Sequence, residues 1–239
     1  MSSVYVKVLE KPQLKPTEMI CDRIIHKKLE KYPMIKQCFS TSSFNVILGK
    51  QGDGKTSLAF SLMSQIFEKC FHHIYIVMPE ACRKSLKEDI LEDLPEDQIY
   101  SDLNVEVLEE LKQKINKNAM ENKWSLLIID DFQSVLKNPE IEKLFIDLVT
   151  KVRHLKLTCF SLQQNWNKLP PSIRTNTFNV ITFDISKDQL EKIFEEKIKL
   201  KKGVFEDILK VAFKKKHDWI VINREGHIYK EFDEIIFSS

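Results

Sequence analysis

A short, mostly apolar run, Phe44-Asn45-Val46-Ile47-Leu48, leads straight into Gly49-Lys50-Gln51-Gly52-Asp53-Gly54-Lys55-Thr56. A helical pattern follows from about Thr56 to Phe67, with Leu58, Leu62, Ile66 and Phe67 forming its apolar stripe. Strand, tight loop and helix in that order are the context in which the spacing G-x-x-x-x-G-K-[ST] has a mechanism. Three of the chain's five glycines fall within six residues here, and their freedom lets the backbone fold tightly enough for its N–H groups to converge on a phosphate. The helix adds its positive N-terminal end. Lys55 is expected to neutralise the β- and γ-phosphates and Thr56 to offer its hydroxyl to Mg²⁺. The expected nucleotide-contacting residues are therefore Gly49, Lys50, Gln51, Gly52, Asp53, Gly54, Lys55, Thr56 and Ser57. Asp53 is the discordant member, since an acid beside phosphates repels them unless its carboxylate points to solvent.

A second constellation lies at Ser125-Leu126-Leu127-Ile128-Ile129, a run suited to a central parallel strand covered on both faces, which ends in Asp130-Asp131. Asp130 is expected to hold magnesium, and Asp131 to orient or deprotonate an attacking water. Two acids at a strand end are ordinary taken alone; beside the glycine loop they point to hydrolysis with water as nucleophile. Gln163 and Gln164 end the next expected strand, Leu157–Leu162, where a glutamine can sense phosphate or position water. Arg153 and Arg174 both flank this region, and either can act as an arginine finger toward a neighbouring subunit's nucleotide.

The pattern around these motifs is an alternation of strands and helices, which predicts one α/β domain with a mainly parallel sheet and nucleotide bound at the carboxyl ends of the strands. Residues 1–40 read as a lead-in, with Thr17 capping an amphipathic helix that carries Met19, Ile20, Ile24, Ile25 and Leu29; residues 41–239 read as a single domain. Further strands are expected at 74–78 and 179–183, a short one around Val105–Leu108, and a helix over 139–152. Ser186 with Gln189 has the spacing of a capping box, and Gly203 is expected to close the helix that follows. The segment 218–232, turning at Arg224-Glu225-Gly226, reads as a β-hairpin.

Composition narrows the partners. With 43% hydrophobic and 30% charged residues the chain can build a core, and its net charge of +2 does not by itself argue for nucleic acid. Lysines concentrate late, at 197, 199, 201, 202, 210 and 214–216, where they can track DNA phosphates or simply end helices and solubilise a surface. The five scattered cysteines fit reduced thiols in a cytosolic compartment, not a zinc site. No apolar run approaches a membrane span and no signal-peptide core opens the chain, so a soluble intracellular protein is expected.

Taken in order, Asn45–Thr56, Leu127-Ile128-Ile129-Asp130-Asp131 and Gln163 followed by Leu169-Pro170-Pro171-Ser172-Ile173-Arg174-Thr175-Asn176 resemble the FtsK–HerA superfamily of P-loop ATPases. More narrowly, the chain is similar to the poxvirus-type genome-packaging ATPases of large DNA viruses and virophages. Asp218–Asn223 with Tyr229-Lys230 resembles the hairpin that ends those proteins. The resemblance covers residues 10–235 and implies a RecA-like (ASCE) core assembled as a homo-oligomeric ring. It further implies Mg²⁺-dependent ATP hydrolysis coupled to pumping double-stranded DNA into a preformed capsid, with a capsid or portal component as partner, in the host-cell cytoplasm or the virion. Lys55 and Thr56 then bind phosphate and Mg²⁺, Asp130 and Asp131 form the second nucleotide motif, and the sensor is Gln163 or Gln164. Asp131 stands where the wider superfamily has glutamate, so a shorter acid must sit closer to its water. A nucleic-acid-remodelling ATPase, a P-loop kinase and a slow nucleotide switch remain the alternatives at this point.

Overall fold

The structure, a computed structural model, describes residues 32–39, 42–67, 69–84, 91, 92, 94–198 and 202–237. The helix expected after Thr17 lies outside them, as do Lys199 and Lys201. The strands are β1 (Phe44–Leu48), β2 (His73–Val77), β3 (Ile99–Tyr100), β4 (Ser125–Asp130), β5 (Leu157–Gln163), β6 (Asn179–Phe183), β7 (Trp219–Asn223), β8 (Ile228–Lys230) and β9 (Asp233–Glu234). The helices are α1 (Pro33–Phe39), α2 (Lys55–Ser61), α3 (Glu80–Arg83), α4 (Val105–Met120), α5 (Pro139–Thr150), α6 (Pro171–Asn176), α7 (Lys187–Lys197) and α8 (Lys202–Ala212).

All nine strands join one sheet in the order β3-β2-β4-β5-β1-β6-β7-β8-β9. From β3 to β6 every neighbouring pair is parallel; β7, β8 and β9 add on antiparallel. β1, β4 and β5 are buried along their whole length, as apolar runs covered on both faces must be. Alternation then splits the core in two. Phe44, Val46 and Leu48 of β1, with Leu127 and Ile129 of β4, face α4, α5, α7 and α8. Ile47, Ile128 and Leu162 face α1 and α2. Cysteines 38, 70 and 159 are buried, used here as small apolar fillers.

Several boundaries differ from the expected ones. Val105–Leu108 opens α4 instead of forming a strand, because Asn104 accepts a hydrogen bond from Val107 N at 2.8 Å and caps a sixteen-residue helix. The helix after the glycine loop stays α-helical only to Ser61 and continues as a π-helical turn, Leu62–Ile66. Gly203 sits inside α8 and does not close α7, which gives way at Ile198. Ser186 is the N-cap of α7 but makes no side-chain cap bond to the backbone; Gln189 accepts from Trp166 N at 2.8 Å and donates from Nε2 to Ser186 Oγ at 3.1 Å. α1 belongs to the packed body: Met34, Ile35, Cys38 and Phe39 are buried against the sheet, and the buried Asn179 ties Cys38 O to Asn45 Oδ1.

Candidate active site

The glycine loop leaves β1 at the carboxyl edge of the sheet and is closed by its own side chains. Lys50 N donates to Asp53 Oδ2 at 2.6 Å, so the carboxylate that looked out of place folds back onto the loop's backbone. Gly49 is needed for close approach: a Cβ there would meet Phe183 at 3.0 Å and Asp53 Cβ at 3.1 Å. Gly54 is needed for conformation, with φ 104° as the N-cap of α2. The loop is thereby wound so that α2 begins at Lys55, with its unpaired N–H groups at the loop.

Lys55 lies folded across the loop, its Nζ donating to Gly49 O at 2.9 Å and Lys50 O at 3.0 Å. Burial lowers its pKa, against the opposing pull of Asp130, Asp53 and Asp131. Those carbonyls hold the ammonium in the position where a phosphate would find it. Thr56 Oγ1 donates to Asp130 Oδ2 at 2.6 Å, bridging seventy-four residues of sequence. Asp130 is 3% exposed, and desolvation raises its pKa despite the Thr56 hydrogen bond and Lys55. A buried carboxylate beside a hydroxyl is a hard oxygen donor pair that a divalent cation would stabilise, so the residues fit Mg²⁺. Among the described residues no larger cluster of metal-ligating side chains competes with it.

Asp131 follows at the strand end in the left-handed region, φ 60°, a conformation Asp tolerates better than most side chains. It is exposed, and Gln164 Nε2 donates to its Oδ1 at 3.0 Å. Strand alternation separates the two glutamines. Gln163 is 1% exposed on the α4–α5 face and donates to Ser161 Oγ at 2.6 Å, with its Oε1 unpartnered. Its backbone carbonyl instead accepts from Gly49 N at 3.2 Å, holding the start of the loop. Of the two glutamines, Gln164 reaches Asp131.

The arginines sit elsewhere. Arg174 is anchored in α6: Nη1 donates to Leu169 O at 3.1 Å and Nε lies 3.2 Å from Glu196 Oε2, which also accepts from Trp166 Nε1. A cavity of about 300 Å³ lined by Pro171, Arg174, Thr175, Glu196 and Lys197 opens beside it. Arg153 lies in the exposed turn before β5, at the amino end of the parallel strands and so at the opposite edge from the glycine loop. Of the late lysines, Lys197 caps α6 by donating to Arg174 O and Thr177 O, with burial lowering its pKa to about 8, and Lys210 pairs with Asp207. Two site-edge residues carry no sequence signal: Phe183, packed on Gly49, and His217, whose Nδ1 is 2.8 Å from Asp53 O. Phe183 arrives at the end of β6, the parallel neighbour of β1, and His217 through the antiparallel pairing of β7 with β6.

A family model described as Poxvirus A32 protein matches residues 31–231. A search of curated proteins finds no match. Among solved structures, the genome packaging NTPase B204 from Sulfolobus turreted icosahedral virus 2, bound to AMP, superposes with a TM-score of 0.57 at 17% identity, over 82% of this chain and 98% of that one. B204, the DNA-packaging ATPase of Sulfolobus turreted icosahedral virus, gives 0.58 at 17%, over 78% and 95%. EssC (ATPases 2 and 3) from Geobacillus thermodenitrificans gives 0.57 at 13%, over 80% of this chain and 39% of that one. At such identities the structural likeness speaks for a shared fold.

Proposed function

Because the chain belongs to the Poxvirus A32 protein family, we propose that it is an ATP-hydrolysing motor that drives viral double-stranded DNA into a preformed capsid. The observation that carries this reading is the 2.6 Å contact between Thr56 and Asp130, which joins the phosphate loop to the acidic strand end. The names of the solved relatives, a genome packaging NTPase and a DNA-packaging ATPase, support the same activity.

In this reading the backbone of 49–57 and Lys55 cradle the triphosphate, and Lys55 offsets charge that builds up on the phosphates as the terminal bond breaks. Mg²⁺, held by Thr56 and Asp130, supplies further charge neutralisation when bound. Asp131 orients the attacking water and accepts its proton. Gln164, holding Asp131 by its amide, keeps that carboxylate aimed. Gln163 serves structure, through the carbonyl that anchors Gly49.

The ring assembly gives the arginines their role. Arg153, at the far edge of the sheet from its own phosphate loop, fits a finger that completes a neighbouring subunit's site, whereas Arg174 braces α6 against α7. Exposed lysines of the late segment contact the DNA backbone without reading sequence, and a capsid or portal component anchors the ring, in the host cytoplasm or the virion. The test is triplex displacement: a third DNA strand annealed to a duplex is stripped off in the presence of Mg-ATP if the protein moves along the duplex. Loss of the third strand that is equal with Mg-ATP and with no nucleotide contradicts the motor reading.

A further inference from the structure

The turn 213–218, between α8 and β7, is carried onto the phosphate loop by the sheet's change of direction. β6 runs parallel to β1 and β7 antiparallel to β6, so Trp219 pairs with Phe183 at the carboxyl edge. β6 and β7 flank β1 on one side, and β5 and then β4, which ends in Asp130, flank it on the other. The turn therefore borders the loop on the side away from Asp130 and Asp131.

Its conformation is held in place. Asp218, 7% exposed, accepts from Lys214 N at 2.9 Å, Lys215 N at 3.0 Å and Lys230 Nζ at 2.7 Å. His217 is in the left-handed region, φ 69°, which a non-glycine residue keeps only where its surroundings impose it. The result is the 2.8 Å contact of its Nδ1 with Asp53 O. A carbonyl oxygen can only accept, so Nδ1 carries the hydrogen. In the Nδ1–H tautomer Nε2 is an acceptor on the far edge of this exposed side chain, with no partner among the described residues. Lys214, Lys215 and Lys216 are exposed beside it and have no ion-pair partner among the described residues.

If the terminal phosphate lies toward Thr56 and Asp130, on the β5–β4 side, the side of the loop left to the nucleoside is that of β6 and β7, where His217 stands. We propose that this turn is the nucleoside subsite: His217 Nε2 accepts a hydrogen bond from a hydroxyl or amino group of the nucleoside, while Nδ1 braces the phosphate loop. This inference rests on the reading of 49–56 as the phosphate cradle, and the experiment separates the two.

Binding of Mg-ATP and of inorganic Mg-tripolyphosphate is measured by calorimetry for wild type, His217→Asn and Lys55→Ala. Asparagine tolerates the left-handed backbone, and its Nδ2 occupies the place of Nδ1 and can still donate to Asp53 O, but it has no atom where Nε2 stands. The expected result is Mg-ATP binding about five- to tenfold weaker in His217→Asn, the range of one lost hydrogen bond, with tripolyphosphate bound as by wild type. Unchanged Mg-ATP affinity, or equal weakening of both ligands, overturns the subsite and leaves His217 as a brace alone. If Lys55→Ala binds tripolyphosphate as wild type does, the phosphate cradle itself is misassigned, and the subsite falls with it for that separate reason.

Discussion

Replacing Asp218 by alanine should loosen the turn beside the phosphate loop, and its cost can be worked out in two ways. The carboxylate accepts three hydrogen bonds, two from backbone N–H groups and one from the Lys230 ammonium. Removing one partner of a buried ion pair costs roughly 3–5 kcal/mol when the other charge is stranded. Here the Lys230 side chain is 26% exposed and Lys214 and Lys215 lie at the surface, so the orphaned donors can turn to water and the cost falls to about 2–3 kcal/mol. Lys230 first, then the two N–H groups, hold the carboxyl at about 2 instead of 3.8, which gives the same sign and the same order, about 2 kcal/mol. For a chain of this length each kcal/mol moves Tm by about 2–4 °C, giving a drop of about 5–10 °C. The sign with pH follows from the depressed pKa. The stabilisation is complete above the ordinary carboxyl value and fades as pH falls toward 2, so the gap between wild type and variant is flat from about pH 8 to pH 5 and narrows below about pH 4. Thermal melts across that range measure it. A gap below about 1 °C at neutral pH, or one that already shrinks between pH 8 and 5, would refute the reasoning.

Asp130→Asn, which keeps an acceptor for Thr56 but removes the desolvated charge, should leave stability in magnesium-free buffer unchanged or higher by about 1 kcal/mol, while lowering ATP turnover at least about a hundredfold; a clear loss of stability would contradict the desolvation of this carboxylate as a cost to the fold. Gln164→Ala should slow turnover about tenfold or more at unchanged Tm, whereas Gln163→Ala should lower stability by about 1–2 kcal/mol, and the reverse pattern in paired melts and rates would exchange their roles. Arg174→Ala takes one partner from Glu196, which keeps Trp166 Nε1 and Lys192, and the donor from Leu169 O, and should destabilise by about 1–2 kcal/mol, read in urea midpoints. Arg153→Ala subunits mixed with wild type should depress the rate of the mixture more than dilution does, and a simple proportional fall would remove Arg153 as the finger.

The glycine loop and both strand ends were legible because each motif is local: an apolar run, a turn of fixed spacing and a helix declare themselves within a dozen residues. The parallel direction of β2, β4, β5, β1 and β6 followed from alternation; their order in the sheet did not. What could not be read was set by tertiary partners. Val105–Leu108 has the composition of a strand, yet the Asn104 cap and the apolar spacing of Leu108, Leu111 and Ile115 make it a helix. Ser186 and Gln189 had capping-box spacing, but Trp166 N, unseen in the local sequence, took the glutamine oxygen. Asp53 looked repulsive until its bond to Lys50 N was visible. His217 lies 164 residues from the loop it touches, and no periodicity could have joined them. The two glutamines are adjacent in sequence and separated only by strand parity, which turns one into the core and the other toward Asp131.

The central claim, that ATP hydrolysis at Lys55, Thr56 and Asp130 is coupled to DNA, is tested most directly by steady-state phosphate release from Mg-ATP, with and without double-stranded DNA, for wild type and Lys55→Ala. The account predicts release by wild type that rises when DNA is added, and none above background from Lys55→Ala in either condition. Equal release from the two proteins, or none from wild type even with DNA, would contradict it.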